Sequence, residues 1–560
     1  MTRRILSRLL IAALASTLLA GAASAEDLGA RFRRLTLSFL AGWMVYHPEQ
    51  ATLLGNHVED NRLPDLSAHG LSQRRDWLEA QRESLLAVPF ARLPSQDAVD
   101  LRLLRHQVDL ELRELNEERR PQQDPRWPLL LLRTAFAGHL LGGFGSPCTR
   151  AEHLAKRMAK VPEYLRDAQL NLVAPSRACT ELAIEMCASL ITMCRTAPAD
   201  AFTECREPRF IADAAVADSQ AVTALLAYRD YLIDQVLPGS LDAFPIDSAG
   251  LALRLGVSEG LSPPLDSLLA QTRQALAELP AAPVDSNMAT PADTIPSTES
   301  MSAGLDSLRA LLSKNGPFPP LQDEKISVRV RAPLGAIECP GVLAVTGPFE
   351  GHAPVARLDL SGWPWTGAGA IERDPRADRA ALTLLLASQG LPGRGLLAMT
   401  QSRVVSRTRQ AIGWRSSEDA WSRYAERQLV QFRRGAWRAL LEGRRVALER
   451  ERLARAAAEL MLRVDGASVE AAQEWLVSAA GLPPLDAERA ALLAAADPSF
   501  AASTLALNQL EQARRRAERE LGSRFRLVRF HDAFLKQGAV PAPWIETDLM
   551  RAMTGRRKGS

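Results

Sequence analysis

Apolar residues recur at helical spacing along most of the chain, and this periodicity limits it to a mainly helical fold. Residues 97–119 are the clearest case, because Leu101, Leu104, Val108, Leu112 and Leu115 fall on one face of a helix. The same pattern predicts helices at residues 32–46, 71–88, 127–141, 150–170, 181–194, 221–237, 264–279, 374–387, 396–412, 426–464, 469–480 and 500–521. Since 47% of the 560 residues are hydrophobic, such helices can bury a large core without disulfides or metals.

One segment departs from the helical pattern. Residues 326–330 alternate apolar and polar side chains, as a half-buried strand does, and residues 342–346 and 355–360 are candidates to pair with them. Ahead of this small sheet, residues 280–302 are rich in Pro, Ala, Ser and Thr and poor in large apolar side chains. That composition predicts a mobile loop or linker.

The N-terminus has the features of a cleavable signal peptide. Arg3, Arg4 and Arg8 precede an apolar run at residues 9–19, and the small residues at 23–25 match the site that signal peptidase cuts. We expect cleavage after Ala25 and a periplasmic or secreted protein. No later apolar run reaches about 18 uninterrupted residues, so we expect no membrane span in the mature chain. The predicted division is therefore a signal peptide at 1–25, an N-terminal helical region at 26–279, the linker at 280–302 and a C-terminal region at 303–553.

The charged residues are balanced in number. The chain has 68 basic and 65 acidic residues, a formal net charge of +3, and the two signs are mixed along the sequence. This argues against a surface dedicated to nucleic acid.

Six cysteines remain after the predicted cut, and an even number in an exported protein favours disulfides. They are Cys148, Cys179, Cys187, Cys194, Cys205 and Cys339. Four lie within one 27-residue stretch, and neither a Cys-x-x-Cys pair nor a nearby histidine suggests zinc. We predict one or two disulfides, one of them stapling the turn between the 181–194 helix and Cys205. The sequence leaves the pairing open, and buried free thiols are the alternative.

Residues 384–397 form an apolar helix that is interrupted at Pro392 and Gly393 and then resumes. This register resembles a bacterial family, domain of unknown function 885, whose members are regarded as zinc peptidases with the central motif His-Glu-x-x-Pro-Gly-His. The Pro and Gly match. Ser388 stands at the first histidine, Gln389 at the glutamate and Arg394 at the second histidine. The resemblance implies a mainly α, gluzincin-like metallopeptidase fold with a degenerate motif.

The three replacements remove the chemistry that a catalytic zinc requires. Such a site has three side-chain ligands and an open position for water. A neutral serine is a poor ligand, arginine keeps its positive charge in proteins, and glutamine cannot take a proton from water at neutral pH. We therefore expect no catalytic residue in the protein, since Ser388, Gln389 and Arg394 occupy the degenerate motif positions, and we expect no metal and no cofactor.

A second stretch, residues 417–427, resembles the family segment Glu-Gly-Trp-Ala-x-Tyr-x-Glu-Arg. Trp421, Tyr424, Glu426 and Arg427 match it, and Asp419 falls where the family has its third metal-ligand carboxylate. Without the family, Glu418, Asp419 and Glu426 on one helix indicate a solvated or ion-paired face. A further eroded segment at residues 498–507 has Thr504 near an expected tyrosine.

Two outer signatures complete the resemblance, at residues 51–67 and 530–541. In the first, His57 and Asp60 are candidates to line a pocket, and local pairing of Asp60 with Arg62 is the simpler interpretation. In the second, His531 and Asp532 suggest a dyad. No motif supplies a nucleophile for it, so a histidine that holds a helix end is the simpler interpretation.

Two functional hypotheses follow. The first is a pseudoenzyme that keeps its cleft and binds a peptide or protein partner, with Arg394 either holding a ligand carboxylate or pairing with Asp419 or Glu426. The cleft residues would be Asp419, Tyr424, Glu426, Arg427, His531 and Asp532. The second is an active hydrolase with a non-standard site in which His531, Asp532, Asp419 and Glu426 converge. An alternative metal site would need three ligands from eight histidines, none of which has metal-binding spacing.

Overall fold

The computed structural model describes residues 28–259, 263–280, 298–312, 316–321, 325–331, 342–351, 355–361 and 379–554. The predicted signal peptide, Cys339 and most of the predicted linker lie outside these residues. Of that linker, residues 298–302 are described, and they form the start of a helix.

The fold is mainly helical, as the apolar periodicity predicts. The helices before the sheet are α1 (28–46), α2 (Pro48–Leu53), α3 (Ala68–Leu86), α4 (Ser95–Asn116), α5 (Arg120–Gln123), α6 (Trp127–Leu141), α7 (Pro147–Met158), α8 (Val161–Asn171), α9 (Arg177–Ala201), α10 (Pro208–Tyr231), α11 (Ser248–Glu259), α12 (Leu265–Ala277) and α13 (Thr298–Arg309). Short 3-10 turns lie at His57–Glu59, Phe90–Arg92 and Leu237–Gly239, and a π turn at Leu232–Val236.

The helices after the sheet are α14 (Arg379–Leu385), α15 (Arg394–Gln401), α16 (Arg407–Ala411), α17 (Arg415–Gln431), α18 (Gly435–Val464), α19 (Val469–Ala480), α20 (Pro484–Ala496), α21 (Phe500–Leu521), α22 (Leu527–Leu535) and α23 (Ala542–Thr554). A π turn at Leu386–Gly390 extends α14, and a 3-10 turn follows α21 at Gly522–Arg524.

Three of the predicted helices are each divided in the structure, and one of them, residues 150–170, forms α7 and α8. Residues 426–464 belong to two helices because α17 ends at Gln431 and α18 begins at Gly435. Gly435 has a φ of +65°, a backbone conformation that favours glycine and breaks a helix. Residues 396–412 are divided in the same way, and Ser406 caps α16 by accepting a hydrogen bond from the amide of Arg409 at 3.2 Å.

The small sheet lies before the motif helix, as predicted. Its strands are β1 (Lys325–Arg331), β2 (Val342–Val345) and β3 (Val355–Ser361), in the order β1-β3-β2. The central strand β3 pairs in parallel with β1 and antiparallel with β2. Ile326, Val328, Ala356 and Leu358 are buried on the face that packs against α13 and the motif turn.

Two large apolar cores hold these elements together. The first is built almost entirely by helices α1 to α10, and the second by the sheet with α13 to α17 and α21 to α23. A smaller core joins α12 to α18, α19 and α20 through Leu276, Leu453 and Leu476. The helix α12 precedes the predicted linker and α18 follows it. This core therefore contains helices from both sides of the linker.

A buried arginine joins the two large cores. Arg409 of α16 donates to Asp100 of α4 at 2.7 Å, to the backbone carbonyl of Gln96 at 2.9 Å and to the side chain of Gln537 at 3.1 Å. Its side chain is 1% exposed. Breaking such a buried ion pair by removing one partner strands a charge, so we infer that Arg409 fixes the relative position of these helices.

One helix of the described residues, Pro208–Gly239, is long and apolar enough to cross a membrane by length and composition alone. A bent pair, Pro484–Ala496 with Phe500–Arg524, passes the same test only if it counts as one span. In the first helix, Ala221, Leu225 and Tyr228 are fully buried in the first core. A core helix meets the same criteria, so this is weak evidence for a span.

The structure confirms a disulfide and identifies its partners. Cys148, at the start of α7, bonds to Cys205, which follows α9. The prediction of a disulfide at Cys205 is confirmed, but the bond joins the segment after α9 to α7 and does not staple the turn between the 181–194 helix and Cys205. Cys179, Cys187 and Cys194 lie along α9 as buried thiols, and burial raises the pKa of each to about 12.

Removal of this disulfide should destabilise the protein. The double variant Cys148→Ala/Cys205→Ala is expected to lose about 2–4 kcal/mol of unfolding free energy, since the bond restricts a long loop of the unfolded chain. Denaturant titration with and without dithiothreitol measures this. Reductant should lower the stability of the wild type and leave the variant unchanged. A wild type that is equally stable in both conditions would contradict the assignment.

Candidate functional site

The interrupted helix forms a tight loop. The helix α14 runs into the π turn, the Leu391–Pro392 peptide bond is cis, and α15 begins at Arg394. The amide of Gly393 donates to the carbonyl of Ala387 at 2.8 Å. A Cβ atom at position 393 would lie 2.0 Å from the carbonyl oxygen of Ser388, so only glycine fits there.

Helix α17 holds this loop by hydrogen bonds to its backbone. The indole nitrogen of Trp421 donates to the carbonyls of Pro392 and Gly393 at 3.0 and 3.2 Å, and the hydroxyl of Ser422 donates to the carbonyl of Ser388 at 3.0 Å. Trp421 is fully buried and stacks on Phe534. The resemblance therefore identifies two segments, the motif and residues 417–427, that lie in direct contact.

Arg394 forms ion pairs with two carboxylates of α17. Its guanidinium lies 3.2 Å from Oε2 of Glu418 and 3.3 Å from Oδ1 of Asp419. All three side chains are between a quarter and a third exposed. Removal from water raises the pKa of Glu418, and the charge of Arg394 opposes this shift. The hydroxyl of Ser503 also donates to Asp419, at 3.0 Å.

The other two motif positions are occupied by uncharged side chains. Ser388 is 3% exposed, and its hydroxyl donates to the carbonyl of Leu385 at 3.2 Å. Gln389 is half-buried in the π turn. Neither residue offers a strong metal ligand or a base.

Glu426 and Arg427 belong to a buried ion-pair network rather than to the motif loop. Glu426 is 1% exposed and accepts from both terminal nitrogens of Arg452, at 2.7 and 2.8 Å. Arg427 donates to Glu449 at 2.8 Å and also pairs with Glu511.

Glu449 is the centre of this network. Arg423 donates to it at 2.7 Å and to the hydroxyl of Thr504 at 3.1 Å. Burial alone would raise the pKa of Glu449, but Arg423, Arg427 and Arg452 hold it at about 2. These residues tie α17 to α18 and α21.

His531 and Asp532 do not form a dyad. His531 is fully buried; its Nδ1 donates to the carbonyl of Pro317 at 2.5 Å, and its Nε2 accepts from the hydroxyl of Tyr424 at 2.8 Å. Burial lowers the pKa of His531 to about 3. Asp532 is turned toward solvent and pairs with Lys536 at 2.7 Å. Each of the four residues proposed to converge thus has its own partner.

Asp60 is not paired with Arg62. Arg62 pairs with Glu59 at 2.8 Å, whereas Oδ2 of Asp60 lies 3.0 Å from Nδ1 of His57 and 3.2 Å from Nδ1 of His153. Asp60 is 1% exposed. Burial opposes its ionisation, but hydrogen bonds from His57 and Thr52 lower its pKa to about 2.

A third histidine, His139, lies beside this pair. It is fully buried, and its Nε2 donates to the backbone carbonyl of Asp60 at 3.1 Å. Burial lowers its pKa to about 3. The sequence analysis named His57 and Asp60 but missed His139 and His153, because these lie 79 and 93 positions from Asp60 and no local spacing relates them.

Comparisons with known proteins address the fold and the family. The model of a family described as "Bacterial protein of unknown function (DUF885)" matches residues 48–317 and 362–549. No curated protein matches the chain. Two solved structures are similar to it along nearly their whole length.

One is described as a putative lipoprotein of unknown function from Shewanella oneidensis, with 15% identity, a TM-score of 0.69 and coverage of 93% of this chain and 99% of the other. The second is described as a putative lipoprotein from Colwellia psychrerythraea, with 13% identity, a TM-score of 0.75 and coverage of 94% and 100%. At this identity the likeness shows the fold alone.

The burial of His531 predicts a defined acid sensitivity. Its pKa is lower in the folded protein than the usual value of about 6.5, so its contribution to stability is complete above that value and falls as pH drops toward 3. Between pH 8 and pH 5 the wild type should lose about 2 kcal/mol from this residue. His531→Gln, which retains an amide donor and an acceptor, should lose correspondingly less.

Urea titrations at the two pH values measure the difference. The matched control is His69→Gln, which changes an exposed histidine on α3 and should parallel the wild type. A His531→Gln variant that also parallels the wild type would show that His531 is not held neutral in the fold.

Proposed function

The chain belongs to the DUF885 family of bacterial proteins, and on that premise we propose that it is an exported, metallopeptidase-like protein without catalytic activity. The observation that carries the proposal is the pairing of Arg394 with Glu418 and Asp419. Export is supported by the pattern of residues 1–25 and by the descriptions of the two structural relatives as putative lipoproteins.

The electrostatics of the motif loop disfavour a metal. Two like unit charges 4 Å apart repel by about 4 kcal/mol at an effective dielectric constant of 20, and a dication doubles this. Arg394 is also the partner of Asp419, the one carboxylate at a ligand position. A metal would therefore have to displace an arginine from Asp419 and bind a serine in place of the first histidine.

The retained loop supports a binding role for the protein. The backbone of the loop is fixed by Trp421 and Ser422, while the side chain of Arg394 is 25% exposed. A peptide or protein partner could meet this surface without being cleaved. Arg394 already has two carboxylate partners, which favours a structural role for its charge over the capture of a ligand carboxylate.

The competing hypothesis is an active hydrolase with a non-standard site. It requires His531, Asp532, Asp419 and Glu426 to converge. In the part of the chain that the structure describes, they pair separately with Tyr424, Lys536, Arg394 and Arg452. No observation favours this hypothesis over the first.

Restoring the family motif should create a zinc site. The variant Ser388→His/Gln389→Glu/Arg394→His is expected to hold about one more Zn²⁺ per chain than the wild type, because two imidazoles would join Asp419. Elemental analysis after dialysis against buffer without chelator measures the difference. The matched control, Ser388→Asn/Gln389→Glu/Arg394→Gln, changes the same positions without adding imidazoles and should gain none.

Two results would contradict the proposal. One is a restored variant with the near-ultraviolet circular dichroism of the wild type and no additional zinc, since the loop would then not be a former metal site. The other is peptidase activity of the wild type that EDTA removes and that survives purification to homogeneity.

A further inference from the structure

Four side chains surround Asp60, far along the sequence from the degenerate motif, and form a group of five with it. We call it the histidine–aspartate cluster, and it consists of His57, Asp60, His139, His153 and Glu350. We propose that Asp60, His139 and His153 bind a divalent transition-metal ion such as Zn²⁺, with His57 and Glu350 at the mouth of the site.

The three proposed ligands lie close enough to share an ion. One ligand atom from each of Asp60, His139 and His153 lies within 4.8 Å of the others. One pair, Oδ2 of Asp60 and Nδ1 of His153, is 3.2 Å apart. Tetrahedral zinc with bonds of 2.0–2.1 Å separates its ligand atoms by about 3.3 Å. One pair is therefore already at the required spacing, and the third ligand needs a shift of about 1.5 Å at most.

His139 has one nitrogen that is ready for a ligand. Its Nε2 is within 3.1 Å of the carbonyl of Asp60, and a carbonyl only accepts, so Nε2 carries the proton and Nδ1 has a free lone pair. Nδ1 is buried without a hydrogen-bond partner among the described residues. A buried polar atom left without a partner costs about 1–3 kcal/mol. Metal-binding histidines characteristically donate their second N–H to a carbonyl or carboxylate, and His139 does so.

The carboxylate of Asp60 is oriented by residues behind it. The hydroxyl of Thr52 donates to its Oδ1 at 2.6 Å, which leaves Oδ2 directed toward His57 and His153. Arg157 in turn donates to the hydroxyl of Thr52 at 2.8 Å. Such secondary contacts hold metal ligands in place and tune them.

The positive charge of Arg157 would repel a metal ion bound nearby. Its guanidinium lies behind Thr52, where it also donates to the carbonyls of Pro48 and Ala135 at 2.8 and 2.6 Å. Asp60 and Glu350 supply two carboxylates on the side of the histidines. The donor set of two or three imidazoles and a carboxylate is the one that zinc and neighbouring transition metals prefer over Mg²⁺ or Ca²⁺.

The site has a path from solvent. The side chains of His57 and His153 are 30% and 21% exposed, whereas Asp60 is 1% exposed. An ion would thus enter past the two outer histidines and meet Asp60 and His139 at the bottom.

Glu350 brings a distant part of the chain to the mouth of the site. Its Oε1 lies 3.1 Å from Nε2 of His57. The neighbouring amide of Phe349 donates to the carbonyl of Leu54 at 3.0 Å, which places the segment after β2 on the end of α2. Metal binding would therefore stabilise this contact between the N-terminal helices and the segment that follows β2.

Isothermal titration calorimetry of the mature chain with Zn²⁺ tests the proposal. The wild type should bind one ion per chain at this cluster. His153→Gln, which changes a partly exposed ligand, and Asp60→Asn should each weaken binding at least tenfold. The control His69→Gln alters an exposed histidine outside the cluster and should bind as the wild type does.

If Asp60→Asn is too unstable for calorimetry, a thermal-shift measurement on the other variants still tests the proposal. Zn²⁺ should raise the melting temperature of the wild type and of His69→Gln equally, and raise that of His153→Gln by less. Two results would overturn the proposal: a wild type that binds no Zn²⁺, or a folded His153→Gln variant with wild-type affinity. The cluster would then be a hydrogen-bonded network only. The variant with the restored motif should hold more Zn²⁺ than the wild type, whatever the wild type binds at the histidine–aspartate cluster. The test of the motif and the test of the cluster are therefore independent.

Discussion

The contact between the motif loop and helix α17 is the arrangement on which this half of the protein depends. A loop that breaks a helix leaves backbone carbonyls without helical partners, and burial makes each of them costly. Trp421 and Ser422 satisfy the carbonyls of Pro392, Gly393 and Ser388. Arg394 then joins the start of α15 to Glu418 and Asp419 on the same helix. A guanidinium therefore links the motif loop to α17.

Arginine has a similar role elsewhere in the fold. Arg409 joins α16 to α4, and Arg452 and Arg423 join α18 and α17 through Glu426 and Glu449. Arg463 donates to the carbonyls of Ala494 and Ala495 at the end of α20. The planar guanidinium can satisfy several carbonyls or a whole carboxylate at once, which suits a large helical protein with many buried helix ends. At these positions arginine therefore has a structural role.

The sequence predicts those features that depend on local pattern. Apolar periodicity gives the helices and the alternation of residues 326–330 gives the sheet, because both patterns reflect which face is buried. The pairing of Arg394 with Asp419 was one of the predicted alternatives. The pairing of Arg394 with Glu418 was not predicted. Glu418 and Asp419 are adjacent on one helix, and the sequence does not show which of them the motif loop approaches.

Features that depend on distant contacts could not be predicted. Cys205 bonds to Cys148, which lies outside the four-cysteine stretch on which the disulfide prediction was based. The three proposed ligands of the histidine–aspartate cluster come one each from the turn after α2, from α6 and from α7, so no spacing in the sequence relates them. His531 and Asp532 are adjacent but lie on different sides of α22, where one is buried and the other faces water.

The most direct test of the central claim, that Arg394 joins the motif loop to α17, is a double-mutant cycle between Arg394→Met and Asp419→Asn. Because the pair is partly exposed, we expect a favourable coupling of about 1 kcal/mol at neutral pH and low salt, decreasing at high salt. A coupling indistinguishable from zero, with both single variants folded, would contradict the account.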